Sequence, residues 1–394
     1  MFGLVKQLQK IQHRTPLGWL QLRKDRAKLL TALAGIAFAD MMVFLQLGFQ
    51  DALFRGNTQY PRHLIADLVI VSIQARSFNQ TYTFPRRRLL QAMDIDGVAS
   101  ADALYIHSVN WRNPETREKG SLSVLGQNPA RPTFQLPDVN AQLDVIKLPD
   151  TVLFDKAGRG DTQTLIEQIE QGKTVTTEIG LRTVTFGGLF ELGASIATDG
   201  AMITSDQNFL RFFPNREAGV VSMGLIDLEL GADPLEVQQH LDAYLVDDVQ
   251  VFTYDQYMEF EENELSTNSP IAVIFGVGSA MGFVVGVVIV YQVLSTDVNT
   301  HMAEYATFKA MGYQDGYLLG VVFEEALILS IFGFFPSVVI SLGLYQLIAT
   351  ATALSIVMPA SRAAFVLVMT FVMCGLSGAI ATRRLQAADP ADVF

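Results

Sequence analysis

The 394-residue chain has one cysteine, Cys374. No disulfide can form within it, so any large domain must be held by its own core. The five histidines (13, 63, 107, 240 and 301) are scattered, and no pair has metal-ligand spacing on one helix face. Gly172-Lys173-Thr174 has the tail of a phosphate-binding loop, but Glu167 stands where that loop needs its first glycine. The sequence therefore carries no catalytic, cofactor-binding or metal-binding constellation. Basic charge is scarce in the middle: residues 51–270 hold 31 acids against 17 bases. Such a surface repels phosphates and argues against a nucleic-acid partner.

Charge is missing altogether from three long stretches, 271–294, 326–348 and 363–382, while 29–50 carries only Asp40. Half the residues are hydrophobic and mean hydropathy is +0.28. About 20 apolar residues cross about 30 Å of hydrocarbon, so these stretches predict an integral membrane α-helical protein with four transmembrane helices. Residues 1–28 carry seven bases (Lys6, Lys10, Arg14, Arg23, Lys24, Arg26 and Lys28) against Asp25. This excess puts the N-terminus in the cytoplasm, and four spans return the C-terminus there beside Arg383 and Arg384. The charged leader is too long for a cleaved signal peptide, so the first span reads as an uncleaved anchor. The expected order is a basic, amphipathic segment at 1–28 meeting membrane lipids, or a solvated leader helix; a first span at 29–50; an extracytoplasmic α+β domain at 51–270; a second span at 271–294; a cytoplasmic segment at 295–317; a third span at 318–350; a short outer loop at 351–362; a fourth span at 363–382; and a cytoplasmic tail at 383–394.

Within the large domain, 64–73 is rich in β-branched residues and reads as a strand, followed by a short helix at 87–93 and a strand at 103–109. Strands are also expected at 224–230 and 249–253. Asp233-Pro234 supplies an N-cap and a first-turn proline for a helix between them. Each end of the domain thus reads as a β-α-β unit. The middle, about 111–215, reads as a mostly β insertion. Gly158-Arg159-Gly160-Asp161 reads as a solvated turn, and Arg86-Arg87-Arg88 as a solvated helix start.

Several span residues stand out. Gly278, Gly282 and Gly286 recur every four residues, which lets another backbone approach closely. Asp40 is a lone charge near mid-span, suited to packing or function. Glu324 and Glu325 lie about two turns into the third helix, either snorkelling or accepting hydrogen bonds between helices; Pro336 lies further along. Between the second and third spans, Ala303–Met311 is a helix-forming run ended by Gly312. A short helix exposed there suits docking into a soluble partner's groove or serves as an interfacial connector. Tyr305, Phe308 and Met311 are its apolar anchors, and Glu304 and Lys309 its flanking charges.

Glu304-Tyr305-Ala306-Thr307-Phe308-Lys309-Ala310-Met311-Gly312-Tyr313 resembles the cytoplasmic segment of MacB/FtsX-type permeases, which reads Glu-x-Ala/Gly-x-x-Lys/Arg-Ala-x-Gly. Leu17–Leu22, with Ala34–Asp40 and Gln46–Leu53, is similar to the cyanobacterial DevC branch. The tail Asp389–Phe394 resembles the family's Pro-x-x-x-Leu ending, with phenylalanine in place of leucine. The resemblance implies a type VII ABC exporter permease in the inner membrane, with a MacB-like extracytoplasmic domain. It implies a homodimer and a separate cytoplasmic ATPase, which holds the ATP and Mg and docks at 304–313. It also implies a periplasmic membrane-fusion adaptor with a TolC-like outer-membrane channel. The DevC relatives suggest glycolipid or other hydrophobic cargo; a lipoprotein-releasing permease and an FtsX-like regulator of a cell-wall hydrolase share the topology.

Overall fold

A computed structural model describes residues 26–180, 182–217, 219–267, 270–304, 307, 311, 315–352 and 356–386. The chain divides into two compact units, one of residues 1–52 with 270–394 and one of Leu53–Ser269. Among the described residues, four helices are long and apolar enough to cross a membrane: α1 (Arg26–Thr58), α8 (Pro270–Thr300), α9 (Asp315–Thr352) and α10 (Ala360–Gln386). The expected order, one such helix before a large α/β domain and three after it, is what the structure has. At 33 residues α1 is about 50 Å long, well beyond the hydrocarbon thickness, and its last turns enter the α/β unit.

That unit is built on one nine-stranded sheet. Its strands are β1 (Leu68–Ser72), β3 (Val98–Arg112), β4 (Lys119–Gln127), β5 (Thr151–Asp155), β6 (Thr176–Ile179), β7 (Arg182–Phe190), β8 (Gly200–Ser205), β10 (Met223–Leu228) and β11 (Val249–Thr253), while β2 (Phe84–Pro85) pairs β9 (Val220–Val221). The order is β11-β1-β10-β3-β4-β8-β5-β7-β6. Helix α2 (Arg87–Ala92) lies between β1 and β3 in the chain, and α6 (Pro234–Tyr244) between β10 and β11. The two terminal β-α-β units are therefore interleaved, each with a strand of the other between its own two, all neighbours antiparallel. Strand β3 is long enough for two partners: 98–104 pairs β10 and 105–112 pairs β4. The middle of the domain thus extends the same sheet, through parallel β4–β8 and β5–β7 pairs, and also carries α4 (Gln163–Glu170) and α5 (Asp206–Phe212) beside the four-residue α3 (Pro137–Asn140).

Both sheet faces are buried, which explains the near-continuous apolar run of β1. Leu68 and Ile70 join Leu89, Leu165, Phe209 and Leu241 from α2, α4, α5 and α6 in one core. Val69 and Val71 point the other way, towards Tyr60, Phe78, Phe134 and Tyr257. Tyr257 belongs to α7 (Tyr254–Thr267), whose chain continues to α8.

Two local readings need correction. The strand expected from Leu64 starts at Leu68, because residues 61–63 form a 3-10 turn after Pro61 and Leu64 makes an isolated bridge to Phe134. Arg88 is not a solvated residue. It is 4% exposed, and its guanidinium donates to both Asp248 carboxylate oxygens (2.9 and 2.8 Å) and to Gln91 Oε1 (2.7 Å).

Candidate functional site

The helical unit concentrates the polar groups singled out in the spans. In α8 the stripe of Gly278, Gly282 and Gly286 packs against α1 of the same chain. A Cβ on Gly278 would fall 2.6 Å from Gln46, one on Gly282 3.2 Å from Val43, and one on Gly286 2.9 Å from Ala39 and closer still to Met373 of α10. The missing side chains let α8 and α1 approach closely. A Cβ on Gly276, Gly343 or Gly375 would meet no other part of the protein within 4 Å.

Polar contacts lie at three levels. Where α1 enters the α/β unit, Asp51 pairs with Arg362 at the start of α10 (2.6 Å), and Arg362 also donates to Val357 O (2.8 Å). Tyr345 of α9 donates to Phe44 O of α1. These contacts join α1, α9 and α10 at one end.

Near the middle, Asp40 is 3% exposed and its Oδ1 accepts from Thr370 Oγ1 of α10 (2.9 Å). Thr370 also reaches Val366 O (2.8 Å), the usual back-bond of a helical threonine. Asp40 thus faces the helix bundle through a neighbouring helix's hydroxyl.

At the far end, Glu325 of α9 and Asp297 in the last turn of α8 are both buried. Glu325 is thus withdrawn from the surface, while Glu324 beside it is half-buried. His301 Nδ1 is 3.4 Å from Asp297 Oδ2. Asp297 and His301 had no counterpart among the sequence candidates; the only signal was a charge at the end of an uncharged run.

The segment expected to dock a partner begins three residues after His301. Tyr305, Ala306, Phe308, Lys309, Ala310, Gly312 and Tyr313 lie outside the described residues. Glu304, Thr307 and Met311 are exposed, Thr307 Oγ1 donates to Ala303 O (2.8 Å), and Met311 N to Thr307 O (3.0 Å).

Within the α/β unit, Glu261 of α7 is a second buried carboxyl. Its Oε1 accepts from Phe78 N and Tyr257 OH (both 2.6 Å) and its Oε2 from Asn57 Nδ2 of α1 (3.3 Å), while Asn79 Nδ2 donates to Asn57 Oδ1 (3.4 Å). Burial pushes the Glu261 pKa up to about 7, against the opposing pull of the Tyr257 and Phe78 bonds. Burial and the Glu261 charge hold the Tyr257 phenol well above its ordinary value. This network ties the last turn of α1 to the helix that precedes α8.

The Gly158–Asp161 turn is only partly solvated. It edges a cavity of about 150 Å³ with Trp111 and Phe154 among its walls. Arg159 reaches back to Ser195 O and Thr198 O (3.1 Å). Thr198 Oγ1 hydrogen-bonds Tyr60 OH (3.1 Å), just after α1. Here arginine serves as a tie between loops. Among the described residues no group of three or more His, Cys, Asp or Glu is arranged to hold a metal ion.

Residues 276–390, from within α8 through α10, match the family described as "FtsX-like permease C-terminal". No curated protein matches the chain. Similar solved structures include the periplasmic region of MacB from Actinobacillus actinomycetemcomitans, at 10% identity over 51% of this chain and 95% of that one, with a TM-score of 0.34. The extracellular domain of the noncanonical ABC-type transporter YknZ from Gram-positive bacteria matches at 15% identity over 47% of this chain and 99% of that one, TM-score 0.30. A permease-protein domain from Porphyromonas gingivalis matches at 15% identity over 49% and 89%, TM-score 0.31.

Proposed function

We propose that this chain is the membrane subunit of an ATP-driven ABC exporter, with ATP hydrolysed on a separate cytoplasmic polypeptide. The observation that carries the reading is the FtsX-like permease match over 276–390, which takes in three apolar helices preceded by a large α/β domain and a first apolar helix. In this reading the basic 1–28 segment and the 304–313 segment face the cytoplasm, and the α/β domain lies outside. The protein works as a homodimer in the inner membrane, and its outer domain meets a periplasmic adaptor and a TolC-like channel. The cargo is a glycolipid or another hydrophobic compound, as in the DevC branch.

The buried polar contacts support a transmitting role over a conducting one. Asp40 and Arg362 are each engaged by a neighbouring helix, whereas a polar pathway needs such groups lining a wet cavity. Docking at 304–313 is tested by co-expression with an ABC ATPase subunit and co-purification. Phe308→Asp and Glu304→Lys are expected to lower ATPase recovery at least tenfold, the equivalent of about 1.4 kcal/mol, while the permease stays in the membrane. Full recovery with both variants would sink the docking assignment.

A further inference from the structure

We propose that the cavity beside the Gly158–Asp161 turn is a binding site for a neutral sugar ring. Strands β3 and β6 stand at opposite ends of the run β3-β4-β8-β5-β7-β6, yet Trp111 Nε1 of β3 donates to Thr177 Oγ1 of β6 (2.8 Å). The run is therefore curled round like an unclosed barrel. The cavity lies at its mouth, where β3 and β5 end and β4 and β8 begin, a common place for small-ligand sites. Its walls are fixed without an occupant. Asn113 is buried and donates to Asp161 O (2.7 Å), which fastens the turn after β3 to the loop after β5. Gly158 packs so closely on the residue before β8 that a Cβ there would fall 2.8 Å from Asp199 O.

The chemistry of the lining selects the occupant. Trp111, Leu122 and Phe154, all buried, give the cavity an apolar wall. At about 150 Å³ it matches in size an apolar cavity that takes up one benzene ring. Glu118, Lys119 and Asp161, all exposed, line it as well, and among the described residues none of their charged ends has a hydrogen bond or an ion pair. The other charges are already engaged. Arg159 Nε lies 3.4 Å from Asp199 Oδ1, and the Asp155 carboxylate accepts from Ala157 N, Leu192 N and Gly193 N (3.0, 3.0 and 2.9 Å). An anion would meet the two free acids, and a cation would meet Lys119. A hydroxyl both donates and accepts, so a ring of hydroxyls serves the ammonium and both carboxylates at once. A sugar also has a C–H face, which packs against aromatic walls such as Trp111 and Phe154.

The site lies within the α/β unit and requires neither ATP nor a partner, so its failure would leave the transport reading untouched. Its test is saturation-transfer NMR on the full-length protein in phosphatidylcholine nanodiscs, with the methyl glycosides of glucose, galactose and mannose as probes. At least one is expected to bind saturably at millimolar concentration, with the strongest transfer to its ring C–H protons. Asp161→Ala and Lys119→Ala are each expected to raise the half-saturating concentration about tenfold, since each removes a hydrogen bond to a charged group. Both residues are exposed, so both variants are expected to keep the wild-type unfolding temperature. Binding of none of the three glycosides would overturn the proposal, and so would binding that both substitutions leave unchanged. Displacement of the bound glycoside by leucine, choline or phosphate at equal concentration would also overturn it, making the ligand a zwitterion, a cation or an anion.

Discussion

Glu261 is the clearest case of a single residue whose environment sets its chemistry. Its carboxyl is buried and accepts three hydrogen bonds, and burial outweighs them, lifting its pKa from 4.5 to about 7. A carboxyl raised in the folded state stabilises the fold fully below its unfolded value, and this contribution is lost as pH rises through the folded value. Between pH 4.5 and 7 the loss amounts to about 3 kcal/mol at most. The Glu261→Gln variant is expected to lack that slope, because the amide oxygen still accepts from Phe78 and Tyr257 while no charge develops. Thermal unfolding followed by fluorescence of Trp111, buried in the same unit, measures it; equal pH slopes in the two proteins would refute the assignment. Asp40 is expected to behave more simply. Asp40→Asn keeps an acceptor for Thr370 and assembles normally, whereas Asp40→Leu puts bulk against α10 and loses the bond. Size-exclusion profiles in detergent distinguish them.

For helices, the glycine stripe of α8 makes a sharp prediction. Gly282→Leu and Gly286→Leu are expected to separate α8 from α1 and reduce the folded fraction severalfold, since overpacking a close contact costs about 1–3 kcal/mol. Gly276→Leu, in the same helix with open space around it, is expected to be tolerated. If all three behave alike, close packing against α1 is not the reason for the glycines. In the α/β unit, Arg88→Ala leaves the partly exposed Asp248 carboxylate without its bidentate partner, at an expected cost of about 1–3 kcal/mol in a denaturant titration. What was legible in the sequence follows the range of the forces. The helix from Pro234 was visible because Asp233 caps it locally, its side chain accepting from Leu235 N (3.0 Å). The strand at 249–253 was visible from its own residues. Arg88 was misread because its partner lies 160 positions away. The insertion of β10 between β1 and β3 is likewise non-local. Glu261 was overlooked inside the acidic run Glu259–Glu264, where nothing local separates a buried carboxyl from solvated ones. The glycine stripe announced close packing, but not that α1 was the neighbour.

At the scale of the whole molecule, the two units have different solvents, and the chain is divided accordingly. The sheet is covered on both faces by residues from within Leu53–Ser269. Its ends are brought together by pairing β1 beside β11 and by the Asn57–Glu261 contact. A segment with its own core and adjacent ends meets the conditions for folding alone. Residues 53–269 expressed by themselves are therefore expected to be soluble and to unfold in one cooperative transition, monitored by Trp111. A shorter piece, 68–253, retains every strand but loses α7 with Tyr257 and Glu261, and the 59–64 segment with Tyr60 and Leu64. These residues cover one face of the sheet, and stripping them exposes Val69, Val71 and Leu225 to water. At roughly 1.5–3 kcal/mol for each large apolar side chain uncovered, the loss reaches most of the 5–15 kcal/mol that stabilises a typical domain. The shorter piece is expected to aggregate or to unfold without cooperativity. If instead it folds as well as 53–269, α7 and the residues before β1 are connectors, and the strands alone define the domain.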